Sequence, residues 1–160
     1  MKPTAPVTFA MVKSKPTSSS DPRAQLEGLE PPADLREPEL TPNARTVLER
    51  RYLKKSPETG EVIETPRQLF WRVASHVARA ELQHPGGAPE RALAVARDFY
   101  ELMATRRFMP NSPCLMNAGR EMGMLSACFV LPVEDSIAGI FASLKAPALI
   151  QTAGGGTGFS

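Results

Sequence analysis

Proline decides where this chain can build regular structure. It lacks a backbone N–H and has a fixed φ, so it suits the first turn of a helix and disrupts the middle of one. Sixteen prolines stand among the 160 residues and are densest in the first forty-two, so the foldable part is shorter than the chain. From Met1 to about Leu40 they sit among short polar residues, as in Lys13-Ser14-Lys15-Pro16-Thr17-Ser18-Ser19-Ser20-Asp21-Pro22 and Glu30-Pro31-Pro32. Such a composition buries too little apolar surface to offset the entropy of ordering, and residues 1–40 are expected to be a disordered tail. Its one apolar patch, Val7 to Val12, leaves a partner-docking arm as the functional alternative.

Further on, prolines mark beginnings. Thr41 can cap a first helix with Pro42 at its first position, and Ala44, Val47, Leu48 and Tyr52 fall on one face. A polar turn follows over residues 54–61, where the lysines read as a solvated face. Thr65-Pro66-Arg67-Gln68 is a capping box, and Leu69, Phe70, Val73, Ala74, Val77 and Ala78 repeat behind it at helical spacing. Trp71 and His76 lie beside that stripe. His76 has no ligand-type neighbour at a useful helical offset, so it reads as structural, and no metal site is expected. His84, before Pro85-Gly86-Gly87, belongs to a helix end. A third helix is predicted from about Pro89 to Arg106, with Ala92, Val95, Ala96, Phe99, Leu102 and Met103 inward. Residues 41–107 thus form a helical domain.

Charge and composition exclude several classes. A formal charge of +2 and a hydrophobic fraction of 42% exert no strong pull toward nucleic acid or membrane. Two cysteines cannot make a disulfide framework, and their spacing fits no usual zinc site. No apolar run approaches the roughly 18 residues of a membrane span, and no secretory signal opens the chain. A soluble protein of a reducing compartment, the cytoplasm, is expected.

The character changes after residue 107. Pro110 and Pro113 bracket Asn111 and Ser112 in what reads as a stiff loop that presents short hydrogen-bonding side chains. Asn117-Ala118-Gly119 is a second turn, and Met116, Met122 and Met124 read as packing residues. Leu125 to Pro132 has strand length and composition. Alternation places Ala127, Phe129 and Leu131 on one face and Ser126, Cys128 and Val130 on the other. Pattern alone leaves Cys128 either a small buried hydrophobe or a working thiol. Asp135-Ser136 can cap a helix with Ile137, Ile140, Phe141 and Leu144 on its apolar face, which Pro147 should kink or end. Gly154-Gly155-Gly156-Thr157-Gly158 follows: a loop that lets a backbone approach a ligand, or a plain hinge.

Three ordered motifs together resemble one family. They are Arg107-Phe108-Met109-Pro110-Asn111-Ser112-Pro113, the run Leu125 to Ser136 containing Ser126-Ala127-Cys128-Phe129, and Gly154 to Ser160. They resemble the start of the catalytic subunit of ribonucleotide reductase, most closely the adenosylcobalamin-dependent class II enzyme. Thr46 to Lys55, Glu64-Thr65-Pro66 and Phe70 to Ala74 fit that class too, so the resemblance runs from about Leu40 to Ser160.

The resemblance implies an α-rich N-terminal domain followed, over residues 108–160, by the first strand and helix of a ten-stranded α/β barrel, truncated here. It implies reduction of ribonucleotides to deoxyribonucleotides for DNA synthesis by thiyl-radical chemistry with dithiol reduction. Cys128 matches the redox cysteine of the strand, whose partner comes much later in the family. Ser112 matches a substrate-binding hydroxyl residue, Ser126 or Ala127 the strand segment lining the substrate, and Gly156 a glycine whose backbone approaches the nucleotide. Cys114 matches no catalytic cysteine. A thioredoxin-like reductant, a homodimer and adenosylcobalamin are implied as partners and cofactor, the cofactor bound by segments beyond Ser160. The radical-bearing cysteine also lies beyond that point, so the segment alone is expected to be inactive. The alternatives are a class I large-subunit fragment and a non-catalytic helical interaction module.

Overall fold

The computed structural model describes Gly28, residues 30–121 and residues 123–160; most of the expected tail, and Met122, lie outside them. Five α-helices are present among these residues: α1 (Pro42–Arg51), α2 (Pro66–Ala78), α3 (Pro89–Ala104), α4 (Ser112–Asn117) and α5 (Ile137–Thr152). A short 3-10 helix, Arg79–Gln83, links α2 to α3. Two strands, β1 (Cys128–Leu131) and β2 (Gly156–Phe159), form a parallel pair with α5 as the crossover.

The helix starts follow local chemistry. Thr41 Oγ1 accepts from the Ala44 N–H at 3.1 Å. Thr65 and Gln68 make the full capping box, with Gln68 N–H donating to Thr65 Oγ1 at 3.2 Å and Thr65 N–H to Gln68 Oε1 at 2.9 Å. Ser136 caps α5 through the Gly139 N–H at 2.9 Å. Each cap satisfies amide groups that the first turn leaves without a partner.

α2 and α3 pack against one another to form the core. Leu69, Phe70, Trp71, Val73, Ala74 and Ala78 of α2 meet Ala96, Tyr100, Met103 and Ala104 of α3, with Leu48, Leu53, Cys114, Leu115 and Ala118 closing the cluster. Trp71, beside the expected stripe, is fully buried and edge-on to Tyr100, their ring centroids 6.3 Å apart. Val47, expected inward, is 43% exposed.

Other expectations change as well. The end of the predicted tail, residues 30–40, is held to the helices. Arg67 Nη2 donates to the Pro32 carbonyl at 2.7 Å, Tyr100 Oη to the Arg36 carbonyl at 2.7 Å, and Arg97 pairs with Asp34 at 2.7 Å. Those anchors come from distant residues, so composition could not reveal them. α3 stops at Ala104, because Arg106 takes a left-handed φ of 58° and turns the chain. The Asn111–Pro113 loop is the start of α4: Asn111 Oδ1 caps it from the Cys114 N–H at 2.8 Å. Of the outcomes expected at Pro147, the helix does not end there: α5 runs on to Thr152, and Pro147 with Ile150, three residues on, forms its buried side.

The glycine run also differs from the expected loop. Its second half is β2, paired with β1 in the register Cys128↔Gly156 to Leu131↔Phe159. Gly155 explains the close fit: a Cβ there would lie 2.6 Å from Ile150 Cγ2 and 3.1 Å from Phe129 Cε2. No helix among the described residues is long and apolar enough to cross a membrane.

Candidate functional site

β1 carries the thiol, and its alternation is the one expected. Ser126, Cys128 and Val130 are exposed, while Ala127, Phe129 and Leu131 on the other face are half-buried. Among the described residues Cys128 therefore lies outside the core, unlike the small buried hydrophobe that pattern alone allowed. That description fits Cys114 instead, which is buried and whose thiol burial pushes up in pKa.

The parallel register sets Gly156 directly beside Cys128. Gly156 N–H donates to the Ala127 carbonyl at 2.7 Å, so the chain enters the pair already tied. Among the described residues, a Cβ on Gly156 would meet only that carbonyl within 4 Å, at 3.6 Å. Three of the predicted site residues, Ser126, Cys128 and Gly156, are thus gathered at one end of the pair. Ala127 points to the opposite face and reaches the site only through its backbone.

Ser112 is placed from the helical side. It is the first residue of α4, exposed, and its Oγ lies 2.8 Å from the Tyr52 hydroxyl at the end of α1. The turn after α4 is fixed to the strand approach by Asn117, whose Nδ2 donates to the Met124 carbonyl at 2.9 Å.

A buried ionic cluster that sequence pattern does not reveal holds the other end of α4. Glu64, 8% exposed, accepts from Arg72 Nε at 2.7 Å and Nη2 at 3.1 Å, and from the Lys54 N–H at 2.9 Å. Arg72 also donates to the Leu115 carbonyl at 3.4 Å and to the Ala118 carbonyl, satisfying C-terminal carbonyls of α4. Arg120 pairs with Glu64 at 3.6 Å and donates to the Tyr52 carbonyl at 2.9 Å; burial lowers the pKa of its guanidinium. Gly119, at φ 67°, passes so close that a Cβ would sit 2.9 Å from Arg72 Cγ. An arginine inside the run Phe70-Trp71-Arg72-Val73 was the one available signal, since a charge in a buried stripe needs a partner.

Among the described residues no three His, Cys, Asp or Glu side chains converge on a point where a metal could bind. His76 lies within 3.5 Å of Arg79 Nη1 on α2, away from the strand pair in sequence and element.

Comparison with known proteins bears on these parts. The family described as "Ribonucleotide reductase, all-alpha domain" matches residues 38–123, more than half of the chain. The vitamin B12-dependent ribonucleoside-diphosphate reductase of Thermoplasma acidophilum is 40% identical over 173 aligned residues, covering 76% of this chain and 22% of the relative. The protein of the same name from Mycobacterium tuberculosis is 46% identical over 117 residues, 73% of this chain and 16% of its own. The ribonucleoside-diphosphate reductase large subunit of Danio rerio is 37% identical over 112 residues, 69% and 12% respectively. The chain thus spans between 12% and 22% of the length of these relatives.

Proposed function

This chain belongs to the ribonucleotide reductase family, and from that membership we propose that it forms the front of a reductase catalytic subunit. Residues 41–107 would be its helical domain, and residues from 108 onward the first strands and first helix of a ten-stranded α/β barrel. The whole protein, acting in the cytoplasm, would replace the 2′-hydroxyl of a ribonucleoside diphosphate by hydrogen.

In that reaction two thiols lose two electrons and two protons as they join in a disulfide. The hydroxyl leaves as water and the carbon takes a hydrogen. Cys128 supplies one thiol and a cysteine of another segment the second. A thioredoxin-like dithiol then reopens the disulfide by exchange, which requires a thiol that a partner can reach. The observation that carries the reading is the exposed Cys128 on β1, in register with Gly156 on β2. A strand fixes the thiol, and the neighbouring glycine leaves room for a nucleotide against the backbone. Ser126 beside Cys128 and Ser112 at the start of α4 contribute hydroxyls to the substrate, and Ala127 holds the Gly156 backbone.

The relatives named as vitamin B12-dependent point to adenosylcobalamin as the radical source of the whole protein. The residues here do not fit as its seat. No ligand-type cluster exists among the described residues, and β1 places Ser126 and Val130 beside Cys128 on its face. No residue of this chain is assigned to the cofactor. The likeness to large subunits such as that of Danio rerio supports a second, class I reading. Activity without cobalamin, dependent on a separate metal-carrying protein, would favour it.

The test is Cys128→Ser in the reductase that carries this segment, assayed with a dithiol reductant. Steady-state turnover should fall to background while Cys114→Ser stays near wild type. Undiminished turnover of Cys128→Ser would overturn the assignment.

A further inference from the structure

Ser112 stands where its hydroxyl has no structural duty in its own helix. Asn111 already caps α4 by accepting from the Cys114 N–H at 2.8 Å, and Pro113 at the second helical position has no N–H to satisfy. The Ser112 hydroxyl instead meets the Tyr52 hydroxyl at 2.8 Å, across 60 residues of sequence.

Tyr52 is itself held at several points. Its N–H donates to the Leu48 carbonyl at 2.9 Å, and its carbonyl accepts from Arg120 Nη2 at 2.9 Å. Arg120 leans on Glu64, which Arg72 holds at 2.7 Å. One residue therefore touches both ends of α4: Ser112 at its start through the phenol, and Arg120 beyond its end through the carbonyl.

We propose that Tyr52 is a positioning residue for Ser112, orienting the serine hydroxyl toward a phosphate or ribose oxygen of the nucleotide. The proposal rests on the reading of Ser112 as a substrate contact. Two hydroxyls in one hydrogen bond share a single bridging proton and leave the other free. With the phenol, the better donor, giving its proton to Ser112 Oγ, the serine proton is left pointing outward. A nucleotide oxygen that accepts it completes a chain, phenol to serine to ligand, in which each bond polarises the next. Without the phenol the serine would sample its rotamers freely, and the ligand would have to order it on binding.

A mutant cycle in the reductase carrying this segment tests the idea, with CDP as substrate. Tyr52→Phe should raise KM about fivefold, the size of one lost hydrogen bond, with kcat within about twofold of wild type. Its melting temperature should stay close to wild type, since only an oxygen is removed. Ser112→Ala should raise KM at least as much, and adding Tyr52→Phe to it should change KM no further. Ser112→Thr, which keeps a hydroxyl, should remain sensitive to Tyr52→Phe. If Ser112→Ala raises KM but Tyr52→Phe is silent, or if the two effects multiply, the positioning role is wrong and the substrate-contact reading stands. If Ser112→Ala leaves KM unchanged, both are overturned. A Tyr52→Phe protein that lowers kcat and melting temperature without a specific KM effect would mark the phenol as merely structural.

Discussion

Two cysteines fourteen residues apart live in opposite environments, and that difference is the main chemical fact of the chain. Cys114 sits in α4 against the helical core, where burial disfavours its thiolate. Cys128 is exposed on β1. Because the thiolate is the reactive form, raising a thiol's pKa slows its alkylation at neutral pH and moves its onset upward. Iodoacetamide should therefore modify Cys128 well ahead of Cys114 near pH 7.5. Cys114, its thiol pKa raised by burial, should need a more alkaline solution to react at a comparable rate, as read by mass spectrometry of digests. Equal rates at the two sites would contradict the burial difference. Tyr100 shows the same sign of effect in the core, its phenol pushed up to about 12 by burial while it donates to the Arg36 carbonyl at 2.7 Å.

Among the elements, α4 depends most on its neighbours. Six residues are too short for a helix to stand alone, so its ends must be held from outside. Asn111 holds the first turn, and Arg72 reaches from α2 to the last carbonyls. Arg72 is in turn balanced by Glu64, with side chains only 15% and 7% exposed. Removing one member of such a pair strands the other charge, at a cost of about 3–5 kcal/mol. Arg72→Met should lower stability by that order in urea unfolding, though it retains most of the buried volume. A change below about 1 kcal/mol would mean that the pair is solvated and that α4 is held by something else. Glu64 also serves the Lys54 N–H, so the same cluster pins the turn between α1 and α2.

At the scale of the molecule, the two parts are packed very differently. The α2–α3 core contains fully buried Leu69, Phe70, Trp71 and Tyr100. The β1–α5–β2 part leaves Ile137, Phe141 and Leu144 of α5, and Val130 of β1, at 62–74% exposure. Its strands are four residues each and its sheet has two, below the size at which a sheet is stable without further cover. Opening free energies should therefore differ across the chain. In hydrogen exchange, amides of Leu69–Ala78 and Ala96–Ala104 should be protected as one unit, and those of Phe129–Leu131 should exchange far sooner. Equal protection in the two would show that the strand pair folds cooperatively with the helices as it stands.

Sequence by itself determined what depends on neighbours a few residues away. Thr41, Thr65 and Ser136 announced their helices because a cap is a contact within three residues. The period-two face of Ser126, Cys128 and Val130 was legible because alternation is a property of the extended backbone alone. The likeness of the ordered motifs carried the family. Tertiary structure alone decided what depends on distant partners. The glycine run became a strand because β1 lies alongside to pair with it. Residues 30–40 were captured by Arg67, Arg97 and Tyr100, 30 to 64 positions away. Cys128 came to face solvent and Cys114 the core because burial is set by which surfaces other elements cover, and no local pattern records that.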